Sequence, residues 1–212
     1  MKAGLTRFVS TFAEQMGLPQ SEWRANDDVP GGRVIILEGV NVLSDRHFFE
    51  ELAAKNGEAG NQPLDMLYCV PPNMVIHTSE DEAISQPAEW FQSWGWPVWD
   101  GTSSTVRDTY PTQLEQRRIV QYDSCRGLEG WTVVNFALDL FYEYKLRQMA
   151  VETSGIVYDE VLARNRAVRW LMIPLTRAMD TLVVHLHQSD SPVRDALQAT
   201  VQYHADFVEW RS

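Results

Sequence analysis

Five short apolar runs constrain this chain more than any other feature. They are RVIIL (33–37), LDMLYCV (64–70), RIVQY (118–122), a stretch rich in β-formers at 131–138, and TLVVHL (181–186). A strand with one wet face alternates apolar and polar residues. These runs are solidly apolar, which is what a strand covered on both faces requires, and that pattern belongs to a parallel sheet with helices on each side. Helical periodicity lies between them. Residues 3–17 place Leu5, Phe8, Val9, Phe12 and Met16 on one face. Further helices are expected at 47–55 (capped by Ser44 or Asp45), 80–94 (interrupted near Pro87), 139–151, 158–179 (containing Pro174), and from Ser191, with Pro192 at the first helical position. A short strand at 98–99 and a helical turn across 111–117 complete the pattern. The expected organisation is an N-terminal helix and loop (1–32), an α/β domain (33–188) and a C-terminal helix (189–212).

Charge narrows the function classes. The net charge is −11, divided as −9 over residues 1–100 and −2 over residues 101–212. Phosphate contacts dominate nucleic-acid affinity, so an acidic chain is a poor stand-alone binder. Any polyanion site belongs in the second half, where Arg126, Arg147, Arg164, Arg166, Arg169, Arg177 and Arg194 lie. No apolar run approaches the roughly 20 residues needed to span a bilayer. The N-terminus lacks a continuous signal core, and the cytoplasm is the expected location. Cys69 and Cys125 have neither metal-site nor disulfide-framework spacing and read as reduced thiols.

Missing motifs are as informative. The chain has no GxxxxGK[ST] phosphate loop, which would wrap backbone N–H groups and a lysine round phosphates. It should not hydrolyse a nucleotide alone. It also lacks HExxH, GxSxG and zinc spacings. His185 and His187 share one face of a strand, but metal sites need three or four donors, so a packing role is expected and no metal is assigned.

One loop remains to be explained. QYDSCRGLEGWTVVN (121–135) places a polar, glycine-bounded turn between two apolar runs. It follows a strand, and ligands in such folds bind beyond the carboxyl ends of strands. Downstream, LMIPLTRAMDTLVVHL (171–186) carries Thr176-Arg177-Ala178 just before the last apolar run. Together Arg126-Gly127-Leu128-Glu129 and Leu175-Thr176-Arg177-Ala178 resemble motifs V (KGLE) and VI (LTRA) of the superfamily 1 DNA helicases of the UvrD/Rep type. LDMLYCVPP and FQSWGWPVWDG precede them in the order found in that family, and the resemblance spans about residues 33–188.

The resemblance implies a RecA-like (P-loop NTPase-type) second motor domain. It implies that Arg177 reaches the γ-phosphate of ATP-Mg²⁺ as a catalytic finger, and that Glu129 and Gly127 lie on the ribose side. A guanidinium suits charge spread over γ-phosphoryl oxygens. Gln121, Asp123, Ser124 and Arg126 map to contacts with single-stranded DNA. The phosphate loop would then lie on a first motor domain, in cis or in trans, and the opening helix would suit a fragment boundary. Four departures stand out: Asp123 replaces the family histidine, Arg126 the lysine, Gly130 the aromatic residue, with Trp131 one place later, and Pro174 the small residue of the LTRA helix, where it should kink the helix a turn before Arg177.

Simpler readings stand beside these. Arg126 and Glu129 could form a surface ion pair, and Arg177 could serve a helix C-terminus. Trp90, Trp94, Trp96 and Trp99 read as packing rather than base-stacking residues. Phe141, Tyr142, Tyr144 and Lys145 suit either role. The alternative function is a non-catalytic interaction module on a degenerate motor fold.

Overall fold

The computed structural model describes residues 1–19, 25–39, 43–79, 81–152 and 160–212. Seven strands form one sheet, all pairs parallel, in the order β5-β6-β2-β7-β8-β1-β9. They are β1 (Arg33–Glu38), β2 (Met66–Val70), β5 (Val98–Asp100), β6 (Arg117–Gln121), β7 (Gly130–Asn135), β8 (Ala178–Leu186) and β9 (Val208–Arg211). A separate antiparallel hairpin joins β3 (Val75–His77) to β4 (Ala83–Ser85). The helices are α1 (Ala3–Gln15), α2 (Arg46–Glu58), α3 (Gln86–Ser93), α4 (Ser104–Arg107), α5 (Leu138–Glu152), α6 (Glu160–Leu175) and α7 (Pro192–Val201).

The solid strands are covered on both faces, as their composition requires. Val34, Ile36, Leu67, Cys69, Val133, Leu182 and Val184 point to one side, where Leu5, Phe8 and Phe12 of α1, Phe141 of α5, Leu171 of α6 and Leu197 of α7 cover them. Ile35, Leu37, Tyr68, Val134 and Val183 point to the other, against Phe48, Phe49 and Leu52 of α2 and Phe91 of α3. Burying one such side chain contributes about 1.5–3 kcal/mol. This is the mainly parallel, doubly covered sheet of a RecA-like α/β fold. Among the described residues, no helix is long and apolar enough to cross a membrane.

Local chemistry sets the helix starts. Asp45 caps α2, accepting from the His47 and Phe48 amides at 3.0 and 3.3 Å. Ser191 caps α7 through the Arg194 amide at 3.1 Å, with Pro192 behind it. Several expectations are corrected. Pro87 does not interrupt a helix begun near residue 80. It sits in the first turn of α3, where its missing N–H costs nothing, and Ser85 caps that helix. The preceding residues form the hairpin strand β4 instead, and Glu80 lies outside the described residues. The helical turn expected at 111–117 is absent; α4 lies earlier. The expected helix at 158–179 ends at Leu175, and its start at 158–159 lies outside the described residues. The C-terminal segment does not end as a helix: β9 follows α7 and pairs with β1.

Candidate functional site

The loop from Gln121 to Gly130 traverses the whole depth of the sheet. β6 and β7 flank β2 and both run parallel to it, so the chain must return from the carboxyl end of β6 to the amino end of β7 within these residues. It descends in steps of three. Tyr122, Cys125 and Leu128 face the core, while Asp123, Arg126, Gly127 and Glu129 face outward. The Tyr122 hydroxyl donates to the Phe136 carbonyl at 2.7 Å, and its ring stacks on Phe141 at 4.3 Å. The Leu128 amide donates to the Cys125 carbonyl at 3.1 Å. Gly127 turns the chain at φ +79°, with open space beside it, so the left-handed backbone and not crowding favours glycine. Burial pushes the Cys69 thiol, hydrogen-bonded to Cys125, well above its ordinary pKa.

The Gly127–Glu129 segment therefore does not sit beyond the carboxyl ends of the strands, as expected, but reaches the amino edge. There it meets Arg177. The Gly130 amide donates to the Arg177 carbonyl at 3.1 Å, and Arg118 donates to the Glu129 carbonyl at 2.8 Å. Burial lowers the Arg118 pKa. Arg177 occupies the two-residue link between α6 and β8, not the interior of a helix. Its Nε donates to the Ile173 carbonyl at 3.0 Å and its Nη2 to the Thr176 hydroxyl at 3.0 Å. The guanidinium thus serves the end of α6, and the residue is partly exposed. No ion pair joins Arg126 to Glu129, whose carboxylate is exposed.

Gly130 explains one departure from the motif. A Cβ there would lie 2.9 Å from the Thr132 carbonyl oxygen, 3.0 Å from Leu67 Cβ and 3.1 Å from the Asp65 carbonyl oxygen. No aromatic side chain fits. The register slips between Gly130 and Thr132, so that Trp131 stands opposite two residues of β8, Met179 and Asp180.

The four residues mapped to nucleic acid share the loop but not one environment. Gln121 is half-buried at the end of β6. Asp123 is engaged by Lys145 of α5, which lies 2.8 Å away with a side chain only 3% exposed. The carboxylate thus balances a buried cation. Ser124 receives a long 3.5 Å hydrogen bond from Arg107. Arg126 lies 4.7 Å from the centre of the Trp170 ring, and Lys145 lies 4.0 Å from the same ring. Phe141, Tyr142 and Lys145 are buried and unavailable for stacking; Tyr144 is partly exposed. Trp90, Trp94 and Trp96 pack against the α2–α3 core, and Trp99 against the opposite one.

The sequence reading placed Arg166 and Arg169 only among the arginines of the second half and did not group them with Trp170 of α6. With Arg126, Met149 and Ile173 they line a surface cavity of about 240 Å³. The available signal was the three-residue spacing of Arg166 and Arg169, which puts both on one helix face. His185 has a packing role: its Nδ1 accepts from the Ala137 amide at 3.0 Å, and its Nε2 lies 3.1 Å from the Gly39 carbonyl. Among the described residues, no cluster of three or more His, Cys, Asp or Glu side chains could hold a metal.

No protein-family model matches the chain, and no curated protein matches its sequence. Among solved structures, it is similar to the C-terminal domain of a possible DNA helicase from Lactobacillus plantarum WCFS1. The TM-score is 0.54 at 12% identity, and the match covers 98% of this chain and 97% of that one. At that identity the likeness speaks for the fold.

Proposed function

We propose that this chain is a helicase-type second motor domain that supplies half of an ATP site, with DNA as the polymer on which the full assembly acts. The carrying observation is the hydrogen bond between the Gly130 amide and the Arg177 carbonyl, which fastens the two motif-bearing segments together at one edge of the sheet. Separately each segment has a bland explanation. Side by side, they would offer the exposed Glu129 and the partly exposed Arg177 to a ligand bound against that edge.

The chemistry follows from what this chain has and lacks. It has no phosphate loop to hold a triphosphate or its Mg²⁺, so a first motor domain must supply both, in cis or in trans. Glu129 would accept from ribose hydroxyls, and Gly127 would give the loop its turn. Arg177 would stabilise charge on the γ-phosphoryl oxygens. Its hydrogen bonds to Ile173 and Thr176 fix the guanidinium before the nucleotide arrives, which lowers the entropy lost in ordering it. The likeness to a helicase C-terminal domain supports the reading at the level of fold.

The test is reconstitution. The purified chain should show no Mg²⁺-dependent ATP hydrolysis, and mixing with a phosphate-loop first domain should raise that domain's turnover. Robust hydrolysis by these 212 residues alone would refute the half-site view.

A further inference from the structure

We propose that the cavity lined by Arg126, Arg166, Arg169 and Trp170 is a binding site for phosphate esters. The guanidinium groups would take the phosphoryl oxygens, and the indole would take the attached sugar or base. The inference stands on the cavity itself and does not depend on the ATP half-site.

Charge is the first argument. Among the other described exposed arginines, Arg7 is matched by Asp27, Arg46 by Glu50, Arg147 by Glu143 and Arg164 by Glu160, and the lone Arg107 donates to Ser124. Arg126, Arg166 and Arg169 line one cavity, and no described carboxylate forms an ion pair with any of them. In a chain with 29 acidic side chains, composition does not explain three unmatched cations in one place. Their mutual repulsion is relieved by a bound anion. The nearby Asp123 does not serve, because Lys145 engages it at 2.8 Å.

Residue type and shape are the second argument. All three cations are arginines, whose planar fork suits bidentate phosphate contact better than a lysine ammonium does. Trp170 contributes an aromatic surface beside them, already holding Arg126 at 4.7 Å. A cavity of about 240 Å³ has room for a phosphate with part of its sugar or base. Arg177 does not line it, although Ile173, whose carbonyl accepts from Arg177, does. The site therefore adjoins the proposed ATP edge without being part of it.

Such a phosphate could belong to a free nucleotide or to the backbone of a nucleic-acid strand. The experiment measures binding of pyrophosphate, ADP and an unphosphorylated thymidine oligonucleotide to the full chain, without metal, across a salt series. Wild type is compared with Arg166→Ala/Arg169→Ala, with Arg126→Ala, and with the paired-arginine control Arg164→Ala. Circular dichroism confirms that each variant is folded. At least one probe should bind, with a loss of tenfold or more in the double variant, a smaller loss in Arg126→Ala, and none in the control. Loss of pyrophosphate and ADP binding identifies free phosphate as the source. Loss confined to the oligonucleotide, with a salt slope shallower by about 1.4, identifies the backbone. The proposal is overturned if no probe binds, if the double variant binds as wild type does, or if polyglutamate binds as well as the phosphate probes.

Discussion

Acidification should destabilise this protein through His185 before its carboxylates contribute much. The imidazole is buried, with Nδ1 accepting from the Ala137 amide at 3.0 Å and Nε2 beside the Gly39 carbonyl at 3.1 Å. Protonation would put a hydrogen on Nδ1 facing an N–H donor. Burial accordingly pulls the pKa from 6.5 down to about 4. Above pH 6.5 the side chain is neutral in both folded and unfolded chains, and its stabilising effect is fully present. Between 6.5 and about 4 the unfolded chain takes up a proton that the folded chain refuses, so stability falls with pH by about 1.4 kcal/mol per unit. Below about 4 both forms are protonated and the loss levels off near 3 kcal/mol. Glu38, Glu51 and Glu209 are held below the ordinary carboxylate range by hydrogen bonds from Arg194, Lys55 and Arg211, so their stabilisation is lost only as pH falls below about 4.5. Urea unfolding of wild type and His185→Gln from pH 8 to pH 4 separates these effects, because the carboxylates are common to both. The stability advantage of wild type should shrink by about 3 kcal/mol across that range. An advantage that stays constant with pH would refute the buried neutral tautomer.

Three further outcomes follow from contacts around the site. Gly130→Ala should destabilise by about 1–3 kcal/mol in urea titration, since two of the three atoms its Cβ would crowd are backbone oxygens. Asp123→Ala should cost about 2 kcal/mol by leaving Lys145 buried without its carboxylate, whereas Lys145→Met should cost less; equal losses would contradict the pairing. Asp139→Ala should cost about 3 kcal/mol, because this fully buried carboxylate accepts from the His187 amide at 3.0 Å and the Gln188 amide at 2.8 Å. A melting temperature unchanged from wild type would count against that assignment.

The sheet was legible in the sequence because its strands are buried on both faces, and nothing but a solid apolar run satisfies that. β9 was not, because VEWR has no such run. It is an edge strand, half-buried throughout, and its one carboxylate, Glu209, is paired with Arg33 and Arg211. Pro87 misled for a physical reason: proline both breaks a helix and begins one, and only the Ser85 cap decides between them. At the site, the order of the two motifs was readable, but their meeting depends on the pairing of β7 with β8, which no local pattern encodes. The grouping of the α6 arginines with Arg126 was hidden in the same way. Their spacing marks a helix face, and only the fold brings Arg126 to that face across the Trp170 ring.

We propose Arg177 as the residue that completes an ATP site held mainly by another domain. The direct measurement is the steady-state ATPase rate of a phosphate-loop first domain reconstituted with this chain, comparing wild type with Arg177→Ala. The shared site predicts that wild type stimulates hydrolysis and that the variant, folded by circular dichroism, loses stimulation by about 10³-fold or more. Equal stimulation by the two proteins would contradict it.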